Sequence, residues 1–237
     1  MNAQGQRILD QIAFVESERQ RRQRTPGLGE QVDALKRYQH ARFQRTYADL
    51  LADPSYRRAA EFFLEDLYGP YDFSARDTQF AKVVPGIVRL FPGEVVDTVE
   101  ALAELHALTE ELDSIMAGML ASQALDAVSY TRAWQRVGRE ADRQRQIRLV
   151  RALGDALRAY TRKPLLRQTL RLMHRPAHAM GLGALQTFLE TGFDTFREMR
   201  DAERFLDVIE SRERMFAKLL FEADPSSKCV AEQDLLP

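Results

Sequence analysis

Between residues 94 and 124 apolar side chains recur at Val95, Val99, Leu102, Leu105, Leu112, Met116 and Met119. Steps of three, four and seven keep such residues on one face only at 3.6 residues per turn. A helix of this length with an apolar face must be covered by other helices or by a sheet. No alternating run elsewhere is long enough to supply a sheet. The composition agrees: 29 Leu and 29 Ala, both strong helix formers, stand against 19 Ile and Val combined. The expectation is an all-α fold, a multi-helix bundle or orthogonal helical array of eight to nine helices.

Turn signals divide the chain. Helices are expected over about 3–24, 30–52, 54–68, 74–91 with a kink at Pro85, 93–124, 129–162, 164–175, 182–199 and 202–222. The breaks are Thr25-Pro26-Gly27-Leu28-Gly29, Gly69-Pro70, Lys163-Pro164 and Arg175-Pro176, each built from residues that leave the helical region or cannot continue it. Residues 1–223 read as one domain, with 1–24 a candidate peripheral helix. Residues 224–237 read as a flexible tail that holds the single cysteine, Cys229.

Several classes fall away. Charges nearly cancel, 34 Lys and Arg against 35 Asp and Glu, so nothing points to nucleic acid or an anionic surface. One cysteine excludes a disulfide scaffold or a multi-thiolate zinc site. No apolar stretch approaches the ~20 residues that span a bilayer, and the first ten residues carry no leader-like apolar segment. A cytoplasmic location is therefore expected. The skew of 29 Arg to 5 Lys fits a GC-rich coding genome.

Catalytic and metal motifs are missing from the sequence. There is no His-Glu-x-x-His, no Glu-x-x-His at any of the four histidines, no phosphate-binding glycine loop and no Gly-x-Ser-x-Gly elbow. His174 and His178 have metal-ligand spacing, but Pro176 between them is expected to break the helix, and no acidic residue is near in sequence. No metal, cofactor or catalytic residue is assigned.

Three patterns remain. First, ten of the 21 aromatic residues lie between Tyr38 and Phe80, and the turn they surround carries Tyr68, Tyr71, Asp72, Arg76 and Asp77. Half-polar rings beside carboxylates suit an interface or a pocket rim, and Ser74 to Asp77 has the form of a capping box. Second, His106, Glu110 and Asp113 share a strip of the long helix, where Glu110 can reach His106. Third, Arg132, Arg136, Arg139 and Arg143 form one ridge if residues 129–162 are a continuous helix, an anion or acidic-partner surface in its functional reading.

The segments Phe62-Phe63-Leu64-x-Asp66-Leu67-Tyr68-Gly69-Pro70, Asp72-Phe73-x-x-Arg76-Asp77, Leu102-Ala103-Glu104-Leu105-His106 and Leu185-Gln186-x-Phe188-Leu189-Glu190-x-Gly192-Phe193 resemble a family of uncharacterised, all-helical proteobacterial proteins. The resemblance implies one continuous domain and a bacterial source. It carries over no activity and no site residues.

These observations support a non-enzymatic interaction or regulatory module that contacts a protein partner, or a second copy of itself, through the Tyr68–Asp77 corner with His106 behind it. The alternative is a haem or apolar-ligand site inside the array, using His106 and methionines 116, 119, 173, 180, 199 and 215. An enzyme working through Glu104, Glu110 and His106 would need a cleft that joins them.

Overall fold

The computed structural model describes residues 2–67, 69–120, 125–224 and 236. The described residues hold eleven α-helices and one π-helical turn, with no strand. The helices are α1 (Ala3–Arg24), α2 (Leu28–Thr46), α3 (Ala48–Ala52), α4 (Arg57–Phe62), α5 (Ser74–Leu90), α6 (Gly93–Leu120), α7 (Ala127–Val137), α8 (Glu140–Thr161), α9 (Pro164–Ala179), α10 (Gly183–Glu198) and α11 (Ala202–Glu222). The π turn, Phe63–Leu67, continues α4.

The all-α class holds, while the count exceeds the eight to nine expected, because two long periodic stretches are broken. Residues 30–52 divide at Tyr47, whose φ of −114° and ψ of 21° leave the helical region. Residues 129–162 divide at Gly138 and Arg139, both with positive φ, 61° and 53°. The Arg132–Arg143 ridge is therefore not one ridge. Arg132 and Arg136 are exposed on α7, Arg139 pairs with Glu111 and Asp142, and Arg143 is buried.

The opposite correction applies at Pro176. It sits inside α9, which runs on to Ala179. A helical proline leaves the carbonyl four residues earlier without its donor. Here that carbonyl belongs to Leu172, and both residues lie on the exposed side of α9, where solvent can compensate for the lost bond.

The expected Ser74 cap also shifts. Ser74 is already helical, and the Asp72 carboxylate accepts from its backbone N–H (2.9 Å) and its hydroxyl (2.9 Å).

α6 is the axis. It holds twelve buried residues, Glu110, Asp113 and Ser114 among them, and is covered on several sides. α1, α2, α7 and α8 pack along it. Three apolar clusters result: Val32, Leu35, Met116, Tyr130, Trp134 and Phe216 join α2, α6, α7 and α11; Tyr56, Phe62, Phe63, Phe196, Phe205 and Leu206 join α4, α10 and α11; Ile8, Ile12, Val84, Val96 and Ala103 join α1, α5 and α6. α1 thus contributes fully buried Ile8 and Val15. Leu236 is buried in the first cluster, and its carbonyl accepts from Arg45 at 2.9 Å. The rest of the expected tail beyond Asp224, Cys229 included, lies outside the described residues, as does Tyr68.

Two close approaches hold the layers together. Gly154 of α8 has no room for a Cβ against the Leu206 side chain of α11, and at Gly192 of α10 a Cβ would stand 2.8 Å from Phe62 Cζ.

Candidate functional site

α6 carries His106, Glu110, Asp113 and Ser114 on successive turns toward its C-terminal half. α1 brings Arg19 and Arg22, α2 brings Lys36 and Gln39, and α5 brings Asp77. Together they form a lane of charge between packed helices.

Asp77 accepts from His106 Nε2 at 2.8 Å and from Arg19 Nη2. Burial pushes its carboxyl up, but the hydrogen bonds and charge of His106 and Arg19 outweigh this and bring it down to about 2. Glu110 does not bond to His106. It accepts from Lys36 Nζ at 2.6 Å and from Arg22 Nη1 at 2.5 Å, while Arg22 also donates to the Glu110 carbonyl and the Ser114 hydroxyl. Burial raises Glu110 as well, and the charges of Lys36 and Arg22 bring it down to about 2. Asp113 behaves differently. Burial raises it, the opposing charge of Lys36 is insufficient, and among the described residues its side chain accepts from Gln39 at 3.1 Å.

The aromatic corner lies beside this lane. Its charged groups are engaged internally. Arg76 lies over the rings of Phe73 and Phe188, 4.0 and 4.6 Å from their centroids, and donates to the Asp66 carbonyl. Asp72 caps α5. Tyr71 is 56% exposed, and its hydroxyl donates to Glu65, which also meets His40. The corner residues and His106 are thus brought together through Asp77, whereas Glu110 belongs to the neighbouring cluster.

The cavity lies elsewhere. It measures about 110 Å³ and is lined from α2, α6, α7, α8 and α11 by apolar groups with Arg42, Asp113 and Arg143. Neither His106 nor any of the six methionines expected for a ligand pocket lines it, and Met119, Met173, Met180 and Met215 are exposed. Its volume is below the roughly 300–1,000 Å³ of typical cofactor pockets, so it has no room for haem. The postulated Glu104, Glu110 and His106 cleft does not form either, because Glu104 turns to Arg145 of α8.

His174 and His178 stand on one helix with ring centroids 4.6 Å apart, and α10 supplies the acid missing from the local sequence: Glu190 accepts from His174 Nδ1 at 2.9 Å. No group of three metal-ligating side chains forms among the described residues, and no helix is long and apolar enough to cross a membrane.

The outer face of α9 could not be singled out from sequence, because its spacing looks like core. Leu165 and Leu172 are 75% and 77% exposed, and Met180 60%. Met173, which follows Leu172 on α9, and Leu189 of α10 are each 42% exposed. Beside this face runs a groove between α9 and α10 that includes Arg167, Arg171, Arg175, Leu172 and Phe193. Arg167 is held by Asp194. Arg162, Arg171 and Arg175 make no ion pair among the described residues. One signal was available: no Asp or Glu occurs between Asp155 and Glu190.

The described residues form an all-helical domain with buried charge, much of it ion-paired, a small central cavity and a basic, apolar outer face on α9. The chain belongs to a family described as Domain of unknown function (DUF8198), whose model matches residues 18–227. No curated protein and no solved structure matches it.

Proposed function

We propose that this is a cytoplasmic, non-enzymatic bacterial interaction module whose contact face is α9 with the adjoining edge of α10, and that its partner presents an acidic, amphipathic segment. The observation that carries this is the exposed face Leu165, Leu172 and Met180 flanked by unpaired Arg171 and Arg175. Exposed apolar side chains grouped on one helix mark an interaction surface rather than a folding requirement. Charge selects the occupant. A second copy meeting this face about a twofold axis would set arginines against arginines, whereas a carboxylate-bearing helix would complement them. A groove also suits a chain segment better than a flat bilayer. The candidate acids Asp77 and Glu110 are held in ion pairs, a structural use that agrees with the non-enzymatic reading.

A labelled synthetic helix with one leucine face and one glutamate face tests the reading by fluorescence anisotropy. Binding should weaken about tenfold, or about 1.4 kcal/mol, in Leu172→Glu and in Arg171→Glu/Arg175→Glu, and should fall with added salt. Circular dichroism should not change, since these side chains are solvent-facing. Anionic vesicles and analytical ultracentrifugation form the other arms. Vesicle binding without peptide binding, or dimerisation lost in Leu172→Glu, overturns the acidic-partner reading. Loss of peptide binding in Tyr71→Ala but not in Leu172→Glu moves the contact to the aromatic corner.

A further inference from the structure

The central cavity is walled by a buried cation, Arg143, on which the Asp113 charge acts without a hydrogen bond between them among the described residues. Arg143 of α8 is 6% exposed and lines the cavity. Among the described residues its guanidinium donates to Gln146 Oε1 at 3.1 Å and to Met116 Sδ at 3.8 Å, and lies over the Trp134 ring with Cζ 4.1 Å from the centroid. Among the described residues no carboxylate is hydrogen-bonded to it. The wall carboxylates bond to other groups: Glu213 accepts from Nη1 and Nη2 of Arg42 at 2.5 and 3.0 Å and from Tyr47, Glu210 pairs with Arg151, and Asp113, whose charge acts on Arg143, accepts from Gln39. A buried guanidinium without a bonded counter-charge is costly unless something supplies one.

Two further donors are left over at the same place. Trp134 Nε1 and Arg42 Nε are both buried with no hydrogen-bond partner among the described residues, and both side chains line the cavity. Three buried N–H-bearing groups therefore surround one apolar-walled space. At about 110 Å³ this space is somewhat smaller than the ~150 Å³ that accommodates a benzene ring, which limits an occupant to about four or five heavy atoms.

We infer that the cavity is a binding site for a small monoanion, a carboxylate of two or three carbons, with Arg143 as its counter-ion and Trp134 Nε1 and Arg42 Nε as further donors. The aliphatic end would meet the apolar wall formed by Phe205, Leu206 and Ile209. A planar two-oxygen anion matches the fork of a guanidinium. The cavity reaches half-exposed Arg151 and Glu210 between α8 and α11, which is the route of entry. Three wall carboxyls would oppose the anion: Glu213 is paired with Arg42 and Glu210 with Arg151, while burial disfavours the charged form of Asp113.

Trp134 is the sole tryptophan of the chain, so its emission reports on the cavity directly. Acetate and propionate are titrated against acetamide and propanol, isosteres without the charge, by fluorescence and calorimetry at constant ionic strength. The carboxylates should bind at one site and raise Tm, and the neutral isosteres should not. By calorimetry Arg143→Gln should lose binding at least tenfold, Trp134→Phe should weaken it, and Asp113→Asn, which keeps an acceptor for Gln39, should tighten it. Equal binding of propanol and propionate overturns the inference in favour of a plain apolar void. No saturable response to either carboxylate overturns it too. Should Arg143→Gln fail to fold, Asp113→Asn decides: weaker binding of the carboxylates in that variant overturns the inference.

Discussion

Asp77 joins α1, α5 and α6 through one carboxylate, so its removal should be felt well beyond its own helix. Asp77→Asn is expected to lower stability at neutral pH by about 1–3 kcal/mol. The sign of the pH dependence follows from the lowered carboxyls. Asp77 and Glu110 stand at about 2 in the fold against ordinary values of 3.8 and 4.5. Their stabilisation is complete above about pH 4.5 and is lost as pH falls from there through 2. Urea unfolding across that window should show wild type and Asp77→Asn converging at the acid end; a constant gap would remove Asp77 as the cause. At this scale the sequence placed His106, Glu110 and Asp113 correctly along one strip of α6. It could not choose their partners. Arg19 and Arg22 serve buried acids, which only the packing of α1 against α5 and α6 shows. Asp77 looked like a capping residue for the same reason: a carboxylate near a helix start is read locally, while its real contacts come from residues 29 and 58 positions away.

Helices are delimited here less by periodicity than by single residues that redirect the chain. Gly138, at φ 61° and ψ −120°, is the sharpest case, since side chains rarely adopt that conformation. Gly138→Ala is expected to destabilise by about 1–3 kcal/mol, measurable as a lower Tm. Gly154 tests packing rather than backbone. A methyl there collides with Leu206, and Gly154→Ala should lower stability by about 1–3 kcal/mol, with recovery in Gly154→Ala/Leu206→Ala smaller than the loss from Leu206→Ala alone. The break at Gly138 was legible as a lone glycine inside a helical pattern. Reading through it made Arg143 part of an exposed ridge, when the turn rotates α8 and carries that side chain inside. Pro176 misled in the other direction: the usual penalty of an interior proline is small where the freed carbonyl is wetted.

Across the whole molecule, α6 belongs to two of the three apolar clusters, and α11 links the first cluster to the second. The clusters should therefore melt together. Leu112→Ala, which empties a fully buried position at the centre of α6, is expected to cost about 2–5 kcal/mol. It should lower Tm while far-UV dichroism and Trp134 emission still report one coincident transition. Two separated transitions would show that the α4–α10–α11 layer unfolds independently. The all-helical class was legible because spacing and Leu/Ala richness are local properties. The outer face of α9 was not, because an apolar stripe states that a helix is amphipathic without stating which side the rest of the chain covers.

The pairing of α1 with α6 also bears on how the protein is made. Gln4 and Arg7 bond to Asp97 and Glu100, about ninety residues downstream. At translation rates of about 5–20 residues per second, α1 leaves the ribosome roughly 5–20 seconds before its binding surface exists. Through that interval Ile8, Ile12 and Val15 are open to any competitor, so the nascent chain is a natural client for holding chaperones. Slowing elongation before residue 120 should lower the yield of folded protein more than slowing it after.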